Sequence, residues 1–190
     1  MRKMIVPLMI SLALLAGGCK NSGTSSTAAP VGPQASAVAT QATGAAPATS
    51  ANGCPTSNTT SFAKTKFVLH TGLAFGAFHR YLYKPFRAGT FTSGSKLHRV
   101  LVFGKAGTAA LFIKREVRLA IADVKANPTL CNSLVAPLSR LSDGIGGVVT
   151  KLKGGDTTAI ADAENGVTAI ESAASSGGAT IVEDAKASIG

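Results

Sequence analysis

The chain has 190 residues, with 19 Lys+Arg against 9 Asp+Glu, no tryptophan, three cysteines and 5% aromatic residues. That size fits one modest domain with non-globular segments and excludes a large multi-domain enzyme. Hydrophobic residues reach 45% at a mean hydropathy of +0.27, yet alanine carries much of that figure, so the expected core uses small side chains.

Arg2 and Lys3 form a positive start, and Ile5 to Ala16 is an apolar run of about twelve residues, shorter than the roughly twenty that span a bilayer. This is the shape of a secretory signal over residues 1–18. The run ends at Leu15-Ala16-Gly17-Gly18-Cys19, small residues directly before a cysteine. The segment resembles the lipobox of bacterial lipoprotein precursors, with Ala16 and Gly17 where the commonest pattern has Leu and then Ala or Ser. The resemblance covers residues 1 to about 20. It implies diacylglycerol on the Cys19 thiol, cleavage just before Cys19, acylation of the new amino terminus, and a protein exported and held at the outer face of the cell membrane. Two or three acyl chains, at about 0.8 kcal/mol per buried CH₂, anchor stably where one is marginal.

Residues 19–53 read as a linker. From 21 to 53 there is no charged side chain, only Ser, Thr, Ala, Gly, Pro, Gln, Val and Asn. Such a segment cannot bury enough apolar area to offset its ordering entropy, so a disordered tether with a reach of roughly 30 Å is expected. With Cys19 assigned to lipid, Cys54 and Cys131 remain as a pair in an exported protein, where a disulfide between them is expected. No CxxC or HxxxH spacing assembles a zinc site.

Residues 54–190 read as an all-α domain, a small antiparallel bundle of about four helices following that tether. The first helix, about 61–84, is apolar on nearly every side (Phe67, Val68, Leu69, Leu73, Phe75, Phe78, Tyr81, Leu82) and is expected to break at Pro85. A helix of that kind is either the buried centre of a bundle or a membrane element. The second, about 96–126, carries Phe103, Ala106, Ala110, Ile113, Val117, Ala120 and Val124 on one stripe and ends at Asn127-Pro128. The third, about 133–153, has Leu134, Leu138, Leu141, Ile145, Val148 and Leu152 before the stop at Gly154-Gly155. The fourth, about 157–175, has a thin, alanine-rich face of Ile160, Ala163, Val167, Ile170 and Ala174, opened by Asp156 or Thr157.

Charge is divided along the domain. Residues 61–130 hold twelve Lys or Arg against two acids, residues 131–190 four against seven, and all ten aromatics lie between Phe62 and Phe112. Arg80, Lys84, Arg87, Lys96, Arg99, Lys114 and Arg118 are therefore the candidate contacts for an anion: lipid head groups, a wall polymer or an acidic envelope protein. The competing reading makes the aromatics core and the cations an ordinary solvated face. Nucleic acid is not expected, since the chain is exported and carries no nucleic-acid-binding motif.

No cofactor, metal or catalytic residue is expected. His70 and His79, nine residues apart on one helix, point to opposite sides, and His98 is the only other histidine. Asp143, Asp156, Asp162 and Glu164 fall on predicted helix ends or exposed faces, and no nucleophile elbow, P-loop or HExxH is present. The expected function is that of a membrane-anchored, non-enzymatic lipoprotein used for binding or scaffolding. The alternatives are an integral protein with a helical hairpin at about 68–83 and 97–113, or a small-ligand carrier with a pocket in the aromatic half.

Overall fold

A computed structural model describes residues 48–189, so the signal peptide, Cys19 and the linker up to residue 47 lie outside the described residues. The domain is an all-α bundle. Its elements are α1 (Ala63–Phe78), a π-helical turn (His79–Tyr83), α2 (Lys84–Arg87), α3 (Lys96–Lys125), α4 (Pro128–Lys153) and α5 (Thr158–Ser176). α3 is the central member, packed on α1 along one side and on α4 along the other; α5 packs on α4 and reaches the π-turn.

The expected stripes of α4 and α5 are the buried ones: Leu134, Leu138, Leu141, Ile145, Val148 and Leu152 on the first, Ile160, Ala163, Val167, Ile170 and Ala174 on the second. On α3, Ala106, Ala110, Ile113, Val117, Ala120 and Val124 are buried while Phe103 is half-buried. α4 and α5 each end at a Gly-Gly pair, Gly154-Gly155 and Gly177-Gly178, whose second glycine is in the left-handed region, Gly155 (φ 85°) and Gly178 (φ 70°). Beyond each, the next amide reaches back to an orphan carbonyl, Asp156 to Lys151 (2.9 Å) and Ala179 to Ala174 (2.8 Å).

Three expectations change, and the open choice between Asp156 and Thr157 at the start of α5 is decided. Pro85 does not break the first helix: the π-turn widens the backbone ahead of the proline, and Pro85 becomes an early residue of α2, which runs on to Arg87. α4 starts at Pro128 rather than 133, because a proline with fixed φ suits the first helical turn and the Asn127 side chain accepts from the Leu130 amide (3.0 Å). Asp156 supplies the side chain that opens α5, accepting from the Thr158 amide at 3.0 Å, and this carboxyl is lowered in pKa chiefly by the Thr158 hydroxyl that donates to it. The ordered domain also begins before residue 54: Ala48 to Gly53 form a turn, with Thr49 bridged to Pro55 and the Thr56 amide on the Ala48 carbonyl.

That N-terminal arm is held over the α3–α4 corner. Cys54 and Cys131 form a disulfide, the Thr59 amide bonds the Ala126 carbonyl (3.0 Å), and the Asn127 amide nitrogen donates to Asn58 (2.9 Å).

The other end of the chain, residues 177–189, closes the gap between α5 and α1 as an extended strap. Its Asp184 amide donates to the Gly72 carbonyl (3.0 Å), and Lys64 donates to the Gly177 carbonyl (3.1 Å). Gly72 and Gly76 have no side chain, and the strap's backbone at Val182 and Asp184 occupies the space a Cβ would need. The all-round apolar character of α1 thus has a packing cause: α3 covers one side and the strap covers another. Among the described residues, no helix is long and apolar enough to cross a membrane.

Candidate functional site

The cations nominated from the sequence fall into three places. Lys84 and Arg87 at the end of α2, with Lys96 and Arg99 in the first turn of α3, share one end of the bundle, because the connection 88–95 returns the chain antiparallel. All four are exposed. Arg80 is exposed but tied back, donating to the strap carbonyl of Ala187 (3.4 Å) with its guanidinium 5.3 Å from the Tyr81 ring centre. Lys114 and Arg118 lie farther along α3, about 22 Å and about 28 Å from Arg99 at 1.5 Å per residue. Arg118 is exposed; Lys114 is half-buried against α4, where its Nζ stands 3.1 Å from the position of a Cβ on Gly146.

Most of the aromatic half belongs to the core. Phe67, Phe75, Phe78 and Phe91 are buried, Tyr81, Tyr83, Phe86, Phe103 and Phe112 are half-buried, and Phe62 alone is mostly exposed. The surface next to the cations is instead aliphatic. Leu97, Val100, Leu101, Leu111 and Leu119 are between 38% and 73% exposed, and on a helical projection they share the side of α3 turned away from Ala106, Ile113, Val117 and Val124. Arg115 and Arg118 stand among them, and Lys96, Lys105 and Lys114 flank them. α3 has two acids, Glu116 and Asp123, and both face α1 rather than this outer side.

Those two acids account for His70. Its Nδ1 lies 2.7 Å from Glu116 Oε2, and its Nε2 lies 3.8 Å from Asp123 Oδ2. Glu116 is buried. Burial raises the pKa of Asp123, opposed by the nearby His70 and Lys66. On the far side of the helix, His79 joins α5 to the strap, with Nε2 2.8 Å from Glu164 and Nδ1 2.8 Å from Glu183. Glu164, expected on an exposed face, is therefore half-buried and paired. Glu171, beside this cluster, is raised in pKa by burial and then by Glu183. The two histidines do point apart, as their spacing requires. Among the described residues, no group of three or more His, Cys, Asp or Glu side chains is placed to hold a metal ion.

Two clefts stand out. One of about 380 Å³ lies between α4 and α5, lined by Pro137, Arg140, Leu141, Lys151, Asp162 and Ala163 among others, so it sits outside the aromatic half. The other is a shallow depression of about 420 Å³ on the outer side of α3, formed by Leu111, Lys114, Arg115, Arg118 and Leu119.

Sequence reasoning located Lys96, Arg99, Lys114 and Arg118 of α3 but neither Arg115 nor the aliphatic stripe between these cations. The signal was present as a second set of apolar positions, Leu97, Leu101, Leu111 and Leu119, opposite the core stripe. It is hidden because a helix apolar on two sides reads as deeply buried. No protein-family model, curated protein or solved structure matches the chain.

Proposed function

We propose that this protein is a cell-envelope lipoprotein, exported and anchored through acylated Cys19, whose non-catalytic helical domain binds an anionic surface at the outer face of the membrane. The observation that supports it is the charge imbalance of α3. Lys96, Arg99, Lys105, Lys114, Arg115, Arg118 and Lys125 lie on a single helix, whose only two acids face His70 on α1. Unopposed like charges one turn apart, such as Lys114 and Arg118, are mildly unfavourable alone and become favourable against a polyanion. The lipobox-like segment adds the address.

The test has two parts. Intact mass spectrometry of the full chain produced in a lipoprotein-processing bacterium should show acylation that Cys19→Ser abolishes. Residues 19–190 carrying Cys19→Ser should float with anionic vesicles, or bind soluble poly(glycerol phosphate), at low salt and be released as salt screens the contact. An unmodified Cys19 overturns the anchor, and indifference to both polyanions overturns the binding surface.

A further inference from the structure

The aliphatic stripe sharpens that reading, on which it rests, into a single partner. We infer that the outer side of α3 lies flat on an anionic phospholipid bilayer, with Leu97, Val100, Leu101, Leu111 and Leu119 entering the interfacial layer and the surrounding Lys and Arg holding head-group phosphates. The five aliphatic residues cover about 33 Å of helix, from Leu97 to Leu119 at 1.5 Å per residue. They form the longest exposed aliphatic row of the domain, whereas α1 leaves only Leu69 exposed among its large aliphatic side chains and α4 and α5 leave none. A soluble polyanion would satisfy the cations and leave these side chains in water. A bilayer takes up both, since Lys and Arg stems run along apolar surface while their charges reach phosphates.

Charge complementarity also argues against a second copy of this chain on the same face. Such a pairing would set Arg115 and Arg118 against their own kind, with no acid on the outer side to meet them. The depression formed by Leu111, Lys114, Arg115, Arg118 and Leu119 repeats the same pairing locally: three cations for a phosphate, with a leucine on either side for the start of the acyl chains.

Chain topology fits a flat posture. The described chain starts at Ala48, held by the Cys54–Cys131 bridge near the C-terminal end of α3. The cations Lys84, Arg87, Lys96 and Arg99 are at the opposite end. A linker attached at one end of α3 brings both ends to the bilayer when the helix lies along the surface. The tether also raises the local concentration of lipid, so a weak interface is sufficient.

The experiment uses residues 19–190 with Cys19→Ser, the native disulfide intact and an environment-sensitive bimane on Leu111→Cys. Mixed phosphatidylglycerol/phosphatidylcholine vesicles are compared with pure phosphatidylcholine. The expected result is a blue shift and quenching by lipid-borne nitroxide in the anionic vesicles only. The variant Leu97→Gln/Leu101→Gln/Leu111→Gln, without the probe, changes exposed positions alone. It should lose about 100-fold in vesicle affinity while keeping its binding to poly(glycerol phosphate). If the protein floats with anionic vesicles but the bimane stays in water and the triple variant binds as tightly as its parent, insertion is overturned and the electrostatic reading stands. If neither vesicles nor polymer are bound, both fall together.

Discussion

At Gly76 the carbonyl of Asp184 stands where a methyl group would have to go, whereas the helix surface at Gly104 is open. The same substitution should therefore have opposite signs at the two positions. Gly76→Ala must lift the strap from α1 and is expected to destabilise the domain by about 1–3 kcal/mol, with faster amide exchange at 181–187. Gly104→Ala removes unfolded-state freedom from a helix interior without a clash and should stabilise by about 0.5–1 kcal/mol. Urea unfolding of the two variants, with exchange read by mass spectrometry, decides the matter; equal midpoints would mean that the strap is not seated on Gly76. From the sequence Gly72 and Gly76 register only as helix-weakening residues. Their purpose is a backbone contact with residues near the far terminus, which no local pattern records. The pairing of His79 with Glu164 and Glu183 is hidden for the same reason: each partner looks like a solvated surface residue until α5 and the strap converge on the π-turn.

At the scale of elements, one side chain serves both the helix start and the arm at the α3–α4 corner. Asn127 accepts from the Leu130 amide (3.0 Å) to start α4 and donates to Asn58 (2.9 Å) to hold the N-terminal arm. Asn127→Ala removes the cap and leaves Asn58 without this donor, so a loss of about 1–2 kcal/mol is expected. Asn127→Asp keeps the cap but has no N–H to give, and its midpoint in urea should fall between those of the parent and the alanine variant. Coincidence of all three curves would remove Asn127 from both roles. The element level is also where the sequence was most informative. α4 and α5 each bury a single stripe, so spacing alone identified their core residues, and the glycine stops marked their ends. α1 and α3 were harder, because each is apolar on more than one side, and periodicity does not say whether the second side meets a strap, a neighbouring helix or solvent. Pro85 misled for a physical reason: the restriction it imposes on an α-helix is relieved by a π-turn, and that turn has no sequence signature of its own.

For the whole molecule, the disulfide and the core divide the work of stability. The core side chains, from Phe67 and Phe75 through Ile113 and Leu138 to Ile170, lie almost entirely on the helices, whereas Cys54 belongs to an arm that adds mainly hydrogen bonds around the α3–α4 corner. The bridge joins residues 77 apart in sequence, and in the chain-entropy description closing a loop of that size is worth about 4 kcal/mol, less any structure the reduced unfolded chain retains. The double variant Cys54→Ser/Cys131→Ser should therefore unfold at a clearly lower urea concentration, yet keep the helical far-ultraviolet signal of the parent in buffer. Its local response should be uneven. Amides of the arm, such as those of Ser50, Thr56 and Thr59, should lose protection, while those in the middle of α3, α4 and α5 keep theirs, since the arm's bonds to the bundle, at Ala126, Asn127, Cys131 and Asn132, are confined to the α3–α4 corner. Collapse of the helical signal in buffer would show instead that the bundle cannot hold its four long helices without the bridge. The uneven response also carries a functional consequence under the proposed tethering. The bridge fixes where the linker meets the bundle, at the C-terminal end of α3, so its loss should loosen the orientation of α3 on anionic vesicles, broadening the emission of a bimane at Leu111, while leaving the affinity of the untethered domain for those vesicles unchanged.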